Sequence, residues 1–358
     1  MRDYLDVDDL SVKEIQDLIS VARNIRLDPD KYRDVCRGKK LATLFYEPST
    51  RTRLSFTAAM MDLGGNVFGF SSSAESSVSK GESVADTVRV ISRYADIIAM
   101  RTPTDGAAYV ASRFASIPVI NAGDGVHAHP TQTLADLMTI YDKFGSFENL
   151  TVGFCGDLKY GRTVHSLIHA LLHYKNIRIV LISPLELRLP DSLLHEMEEH
   201  NVSYFGTDDL EAVLPELDVL YMTRIQRERF SDLNVYERLK DSYILTKEKM
   251  ELAKQKMIVL HPLPRVNEIS VAVDEDKRAC YFDQVENGKL MRMALIMMLL
   301  DEAKHNPKRK EVDSSEFVYD LKCDNPRCIV QSEQELPHAF KKVKEGSYCC
   351  IYCEVEKK

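Results

Sequence analysis

The sequence predicts an α/β fold built on parallel sheets, followed by a small metal-binding module. Two observations carry this. From about residue 40, apolar strand-like runs alternate with helical patterns, which is the signature of strand–helix–strand units. Of the eight cysteines, Cys323, Cys328, Cys349, Cys350 and Cys353 crowd the C-terminal stretch.

The first strand is Lys40–Tyr46, ended by Pro48, and Ser49 or Thr50 can cap a helix that stops at Gly64-Gly65. Further strands are expected at Ile97–Met100, Val119–Ile120, Thr151–Cys155, Arg178–Ile182, Asp218–Met222 and Met257–Leu260. Helices are expected at Gly81–Tyr94, Thr131–Phe144 and Gly161–Tyr174. Ser-rich Ser71–Ser79 reads as a mobile loop, and charged Lys304–Glu316, with Pro307, as a linker. No internal repeat is evident.

At 358 residues, 44% hydrophobic and 28% charged, the chain is an ordinary soluble protein with room for two or three domains. A net charge of −8 argues against nucleic acid or an anionic membrane as partner. The acidic start MRDYLDVDDL is no signal peptide, and the longest apolar run, Ala294–Leu300, is too short to span a bilayer. The expected location is the cytoplasm.

In parallel sheets, ligands bind beyond the carboxyl ends of the strands. The residues there are Ser49-Thr50-Arg51-Thr52, Arg101, His127/His129, Gly156-Asp157, Thr223-Arg224 and His261-Pro262. Ser49–Thr52 joins a strand to a helix N-terminus, where free amides, hydroxyls and Arg51 suit a phosphate. The bland reading is a capped helix with solvated arginines. Arg101 alone reads as a surface residue, and Thr223–Arg229 as a charged loop. His129, just before Pro130, can donate to a carbonyl oxygen that gains charge. No third ligand accompanies His127 and His129, so a metal there is discounted. Gly153, Gly156 and Gly161 lack the dinucleotide spacing, which discounts a nicotinamide cofactor. Pro262 and Pro264 hold carbonyls rigidly, for an amine or amide donor.

Taken in order, PSTRTRLSF (48–56), SKGESVADT (79–87), MRTP (100–103), NAGDG…HPTQTLADL (121–137), GDLKYGRTVHS (156–166), TRIQRERF (223–230) and HPLPRVNEI (261–269) resemble the aspartate carbamoyltransferase catalytic chain. The resemblance implies two parallel-sheet α/β domains joined by helices. The carbamoyl-phosphate-binding domain would be 1–134, completed by a helix at 286–304, and the aspartate-binding domain 135–285. It implies a homotrimer in which a neighbouring chain supplies Ser76 and Lys80. The ornithine-specific branch shares the phosphate motif but carries a Cys-containing HCLP where this chain has His261-Pro262-Leu263-Pro264.

By the same resemblance, Ser49, Thr50, Arg51, Thr52, Arg101 and Lys80 hold the phosphate of carbamoyl phosphate. Thr52, Arg101 and His129 meet its carbonyl oxygen. Gln132 and the carbonyls of Pro262 and Leu263 orient the NH₂ group and the incoming amine. Arg162, Arg224, Gln226 and Lys80 bind the carboxylates of L-aspartate. Glu47 pairs with Arg162 and Arg229 on domain closure. No organic cofactor is implied. A carbamoyltransferase for another amino acid, or a non-catalytic assembly subunit, are the alternative readings.

Cys323-x4-Cys328, then 21 residues, then Cys350-x2-Cys353, is a four-thiolate zinc pattern, with Cys349 as a competing ligand. This segment, 321–358 after a linker at 305–320, resembles the zinc domain of the aspartate carbamoyltransferase regulatory chain. Only 18 residues separate the last catalytic helix from Cys323. That leaves no room for the nucleotide-binding domain that precedes the zinc domain in the family, so ATP or CTP regulation is not expected. The module would tie catalytic chains into a higher assembly, recruit another partner, or serve as a passive tail.

Overall fold

A computed structural model describes the chain except residues 76, 226–232, 240, 310–312, 334, 345 and 358. The protein folds as two compact units, Met1–Thr131 with Lys289–Lys358, and Gln132–Gly288.

In the first unit, β1 (Lys40–Phe45), β2 (Asn66–Phe70), β3 (Ile97–Thr102) and β4 (Val119–Asp124) form a four-stranded parallel sheet in the order β2-β1-β3-β4. Leu41–Phe45 and Ile97–Met100 are buried on both faces, as helix-covered parallel strands must be. The helices of this part are α1 (Val12–Leu27), α2 (Thr50–Asp62), α3 (Val84–Ile91), α4 (Ala107–Phe114) and the start of α5 (Pro130–Phe144). Ser11 and Glu14 close a capping box on α1. Tyr4 pairs alongside β4 through its amide to the Val119 carbonyl at 2.9 Å.

In the second unit, β5 (Thr151–Cys155), β6 (Arg178–Ile182), β7 (Ser203–Thr207), β8 (Val219–Met222) and β9 (Ile258–Leu260) form a five-stranded parallel sheet in the order β7-β6-β5-β8-β9. Its helices are α6 (Arg162–Leu172), α7 (Asp191–Glu199), α8 (Leu210–Val213), α9 (Leu233–Leu239) and α10 (Lys247–Met250). The chain returns to the first unit within α11 (Asp283–His305).

The C-terminal module is antiparallel: β10 (Phe317–Val318), β11 (Phe340–Lys344), β12 (Ser347–Cys350) and β13 (Glu356–Lys357) pair in sequence order. Among the described residues, its apolar side chains join the core of the first unit. Ile329, Val330, Phe340 and Tyr352 share one apolar cluster with Ala107, Val110 and Ala111 of α4. The stretch expected as a linker is fastened: Arg309 grips Asp3 at 2.7 and 2.8 Å and donates to the carbonyls of Ile117, at 2.6 Å, and Ala115. β10 also falls inside that stretch. Among the described residues, no helix is long and apolar enough to cross a membrane.

Candidate active site and metal centre

In the first unit, strand register brings the expected phosphate site together. Phe45 pairs with Arg101, and the Tyr46 amide donates to the Arg101 carbonyl at 2.8 Å. Thr102 pairs with Asp124 on β4, so Glu47–Thr52, Arg101 and the 124–129 loop lie past neighbouring strand ends of one sheet. Ser49 is the N-cap of α2, but its side chain makes no capping hydrogen bond. A helix N-terminus that follows a strand in this way is a place where backbone amides and the helix dipole favour an anion. Arg51 and Thr50 are exposed, Thr52 and Arg101 half-buried, and His129 buried. Lys80, exposed, ends a short 3-10 turn at Ser77–Lys80. Ser76 lies outside the described residues.

Arg292 of α11, which sequence reasoning missed, steadies α2. Its guanidinium lies over the Phe56 ring at 5.2 Å and donates to Ser55 Oγ at 3.2 Å and Thr131 Oγ1 at 3.3 Å. An arginine in the middle of an otherwise apolar helical run was the available signal.

In the second unit, β5 and β8 are adjacent, and Thr223 stitches their ends. Its amide and hydroxyl donate to the Cys155 carbonyl at 2.8 and 3.0 Å, and its Oγ1 accepts from the Asp157 amide at 2.8 Å. Arg224 follows directly, and Arg162 opens α6 after the same β5 end. Two guanidinium-bearing segments thus leave neighbouring strands. Gln226 and Arg229 fall outside the described residues.

A buried polar network links Gln132 to the His261–Leu263 turn. Asp136, fully buried, accepts from Gln132 at 2.7 Å, from Gln284 at 2.7 Å and from the Tyr221 hydroxyl at 3.0 Å. Gln284 Oε1 in turn accepts the His261 amide at 2.8 Å. His261 Nδ1 accepts the Leu263 amide at 2.8 Å, so its proton sits on Nε2 and is donated to Glu268 at 2.7 Å. Burial alone would raise the Glu268 carboxyl, but His261 and the amide of Val266 outweigh it and hold it below the ordinary value. These contacts fix the turn bearing the Pro262 and Leu263 carbonyls. Asp136 lies in the HPTQTLADL segment one helical turn after Gln132, a spacing that in the sequence is the available signal for their pairing.

The Sγ atoms of Cys323, Cys328, Cys350 and Cys353, all buried, lie within 4.8 Å of one another and could hold a metal ion. Cys323–Cys353 is 3.6 Å and Cys328–Cys350 3.9 Å. Thiolates about 2.3 Å from a tetrahedral zinc would sit about 3.8 Å apart, so the donor set fits. Cys350, not Cys349, completes the quartet. Hydrogen bonds from Cys328 and Cys353 pull the Cys350 thiol down, whereas burial pushes the Cys323 thiol up. Burial likewise pushes Cys349 up to about 12.

Two family models match successive parts of the chain. Residues 2–142 match "Aspartate/ornithine carbamoyltransferase, carbamoyl-P binding domain", and residues 148–299 match the "Asp/Orn binding domain" of the same family. The chain therefore belongs to the aspartate/ornithine carbamoyltransferases. The aspartate carbamoyltransferase catalytic subunit of Lachnoclostridium phytofermentans is 62% identical over 294 residues, covering 82% of this chain and 96% of that protein. The catalytic subunit of M. jannaschii aspartate transcarbamoylase superposes with a TM-score of 0.80 at 45% identity, covering 85% of this chain and 99% of its own. Aspartate transcarbamoylase from Trypanosoma cruzi, solved with carbamoyl phosphate and aspartate, gives 0.78 at 38% identity, covering 83% and 96%. Within the family, the chain belongs with the aspartate carbamoyltransferase catalytic subunits. The cysteine module lies beyond the last matched residue, 299.

Proposed function

We propose that this enzyme transfers the carbamoyl group of carbamoyl phosphate to the α-amino group of L-aspartate, giving N-carbamoyl-L-aspartate and phosphate, a step of pyrimidine biosynthesis. The observation that carries the choice of acceptor is the pair Arg162 and Arg224, on segments leaving adjacent strands β5 and β8. Two guanidinium groups suit a dicarboxylate, whereas ornithine would bring a second ammonium into the same field. The Trypanosoma cruzi relative, solved with both substrates, supports the same pairing.

In this reading carbamoyl phosphate binds first. Ser49, Thr50, Arg51, Thr52 and Arg101 hold its phosphate, with Ser76 and Lys80 from the next chain of a homotrimer. Thr52, Arg101 and His129 stabilise the oxyanion that forms on the carbonyl. Gln132 and the carbonyls of Pro262 and Leu263 orient the NH₂ group and the amine. Arg162, Arg224, Gln226 and Lys80 hold aspartate. The amine nitrogen attacks the carbonyl carbon, the carbon–oxygen bond to phosphate breaks, and the departing phosphate takes the amine proton. Most of the acceleration comes from positioning two anions.

The C-terminal quartet is read as a structural zinc site in a module like the zinc domain of the regulatory chain, serving assembly in a cytoplasmic enzyme without nucleotide control. The test is carbamoyl transfer from carbamoyl phosphate with aspartate and ornithine offered in parallel. Product with aspartate alone is expected. Product with ornithine, or none from folded protein, would overturn the reading.

A further inference from the structure

The metal module is seated on its own first unit, and the seat touches the two loops that border Arg101 and His129. Loop 103–106 follows β3, and loop 125–128 follows β4. Asp105, 2% exposed, is clasped by the backbone around Cys328: its amide donates to the Arg327 carbonyl at 2.9 Å, and its carbonyl accepts from the Ile329 amide at 3.0 Å. Its carboxylate then divides. Oδ1 accepts the Val126 amide at 3.0 Å, in the second loop, and Oδ2 accepts Asn325 Nδ2 at 2.9 Å, in the module.

The other pair of cysteines makes a separate hold. Glu354, next to Cys353, meets His127 Nε2 at 3.0 Å, and His127 Nδ1 meets Asp124 Oδ2 at 3.2 Å. Tyr352 packs edge-on against Tyr109 of α4, with ring centroids 5.9 Å apart. The fit leaves no slack. A Cβ on Gly106 would lie 2.4 Å from the Tyr352 carbonyl oxygen, and one on Gly125 would lie 1.7 Å from Asp105 Oδ1. Both glycines also adopt positive φ, 82° and 49°.

We propose that Asp105 is a positioning residue through which the metal-loaded module braces the loops beside Arg101 and His129 and so sets the affinity for carbamoyl phosphate. The inference rests on the functional reading above. Cys328 and the Cys350–Cys353 turn lie on different segments, and each segment grips the loops at a different point. A metal bound by the quartet joins those segments. A brace of this kind acts on how narrowly Arg101 and His129 are held before substrate arrives. Its loss therefore appears in carbamoyl phosphate binding more than in turnover of bound substrate. A passive tail would not bury a carboxylate and divide it between itself and Val126, three residues before His129.

The test uses the full-length, metal-loaded protein and the variants Asp105→Ala, Asp105→Asn and Asn325→Ala. Each is assayed for metal content, for kcat and KM, and for carbamoyl phosphate binding by calorimetry. Asp105→Ala is expected to raise the carbamoyl phosphate KM and Kd about tenfold, with kcat within about twofold and the metal retained. Asp105→Asn, which keeps one acceptor oxygen, should recover part of the loss. Asn325→Ala removes the module-side hydrogen bond while leaving Arg327 Nε 3.7 Å from the same oxygen, should shift KM and Kd several-fold the same way, and carries the test if Asp105→Ala does not fold. Unchanged Kd in folded, metal-loaded variants would overturn the brace. So would kcat and stability falling with no change in Kd. Wild-type protein that binds carbamoyl phosphate but transfers to no acceptor would instead sink the functional reading, and the calorimetric comparison would still decide the brace.

Discussion

Arg101 Nε donates to Glu47 Oε1 at 2.7 Å, with both side chains largely withdrawn from solvent. This pair joins the residue expected to grip phosphate to the residue expected to act in domain closure. Glu47 partly neutralises Arg101, so an arriving phosphate competes with a carboxylate for one guanidinium. Removing Glu47 leaves phosphate a stronger partner and takes away the carboxylate expected to act in closure. Glu47→Ala should lower kcat at least about tenfold while inhibition by phosphate holds or tightens. Steady-state kinetics with phosphate as inhibitor measures both. Intact turnover would end the closure role.

Asp136 accepts three hydrogen bonds with no exposure to water. An amide in its place offers one acceptor oxygen and turns an NH₂ toward existing donors. Asp136→Asn should therefore cost about 2–3 kcal/mol of stability, and it should raise the KM for carbamoyl phosphate by releasing Gln132. Urea unfolding reads the first effect and kinetics the second. A stability loss with unchanged KM would mean that Gln132 needs no such support.

The thiol quartet makes a sharp distinction between neighbours. Cys349 lies outside the group, with its Sγ directed to the Cys350 carbonyl at 3.8 Å. Cys350→Ser should abolish stoichiometric metal, and Cys349→Ser should retain one equivalent. Elemental analysis beside thiol titration decides it, and equal retention by both variants would return Cys349 to the ligand set. Zinc is the expected metal.

Much of the fold was legible because buried parallel strands are apolar runs: Leu41–Phe45, Ile97–Met100 and Thr151–Cys155 stand out without any partner being known. The strands β2 and β7 did not. Asn66–Phe70 and Ser203–Thr207 are short edge strands, half-exposed and interrupted by glycine, so no apolar run marks them. Strand ends were legible as sites because their polar residues break those runs. The supporting groups were not. Asp136, Glu268, Arg292 and Asp105 look like surface charges in the sequence, and only long-range contacts make them buried. The seat of the metal module was hidden for the same reason: Asp105 and Asn325 are 220 positions apart.

His165, on α6 one turn beyond Arg162, donates through Nε2 to the Leu158 carbonyl at 2.8 Å. Burial pulls its pKa down to about 4 from an ordinary 6.5, and the carbonyl only partly offsets this. The unfolded chain thus binds this proton at a higher pH than the folded chain does. The stabilising contribution is complete above about pH 6.5 and is lost as pH falls toward 4, and it amounts to about 2–3 kcal/mol. Glutamine at this position can keep the hydrogen bond to Leu158 but does not titrate. Between pH 7 and 4, wild-type protein should lose about 2–3 kcal/mol more unfolding free energy than His165→Gln, measured by urea titration at each pH. Parallel acid profiles for the two proteins would show that protonation of His165 plays no part in loosening the segment that opens with Arg162.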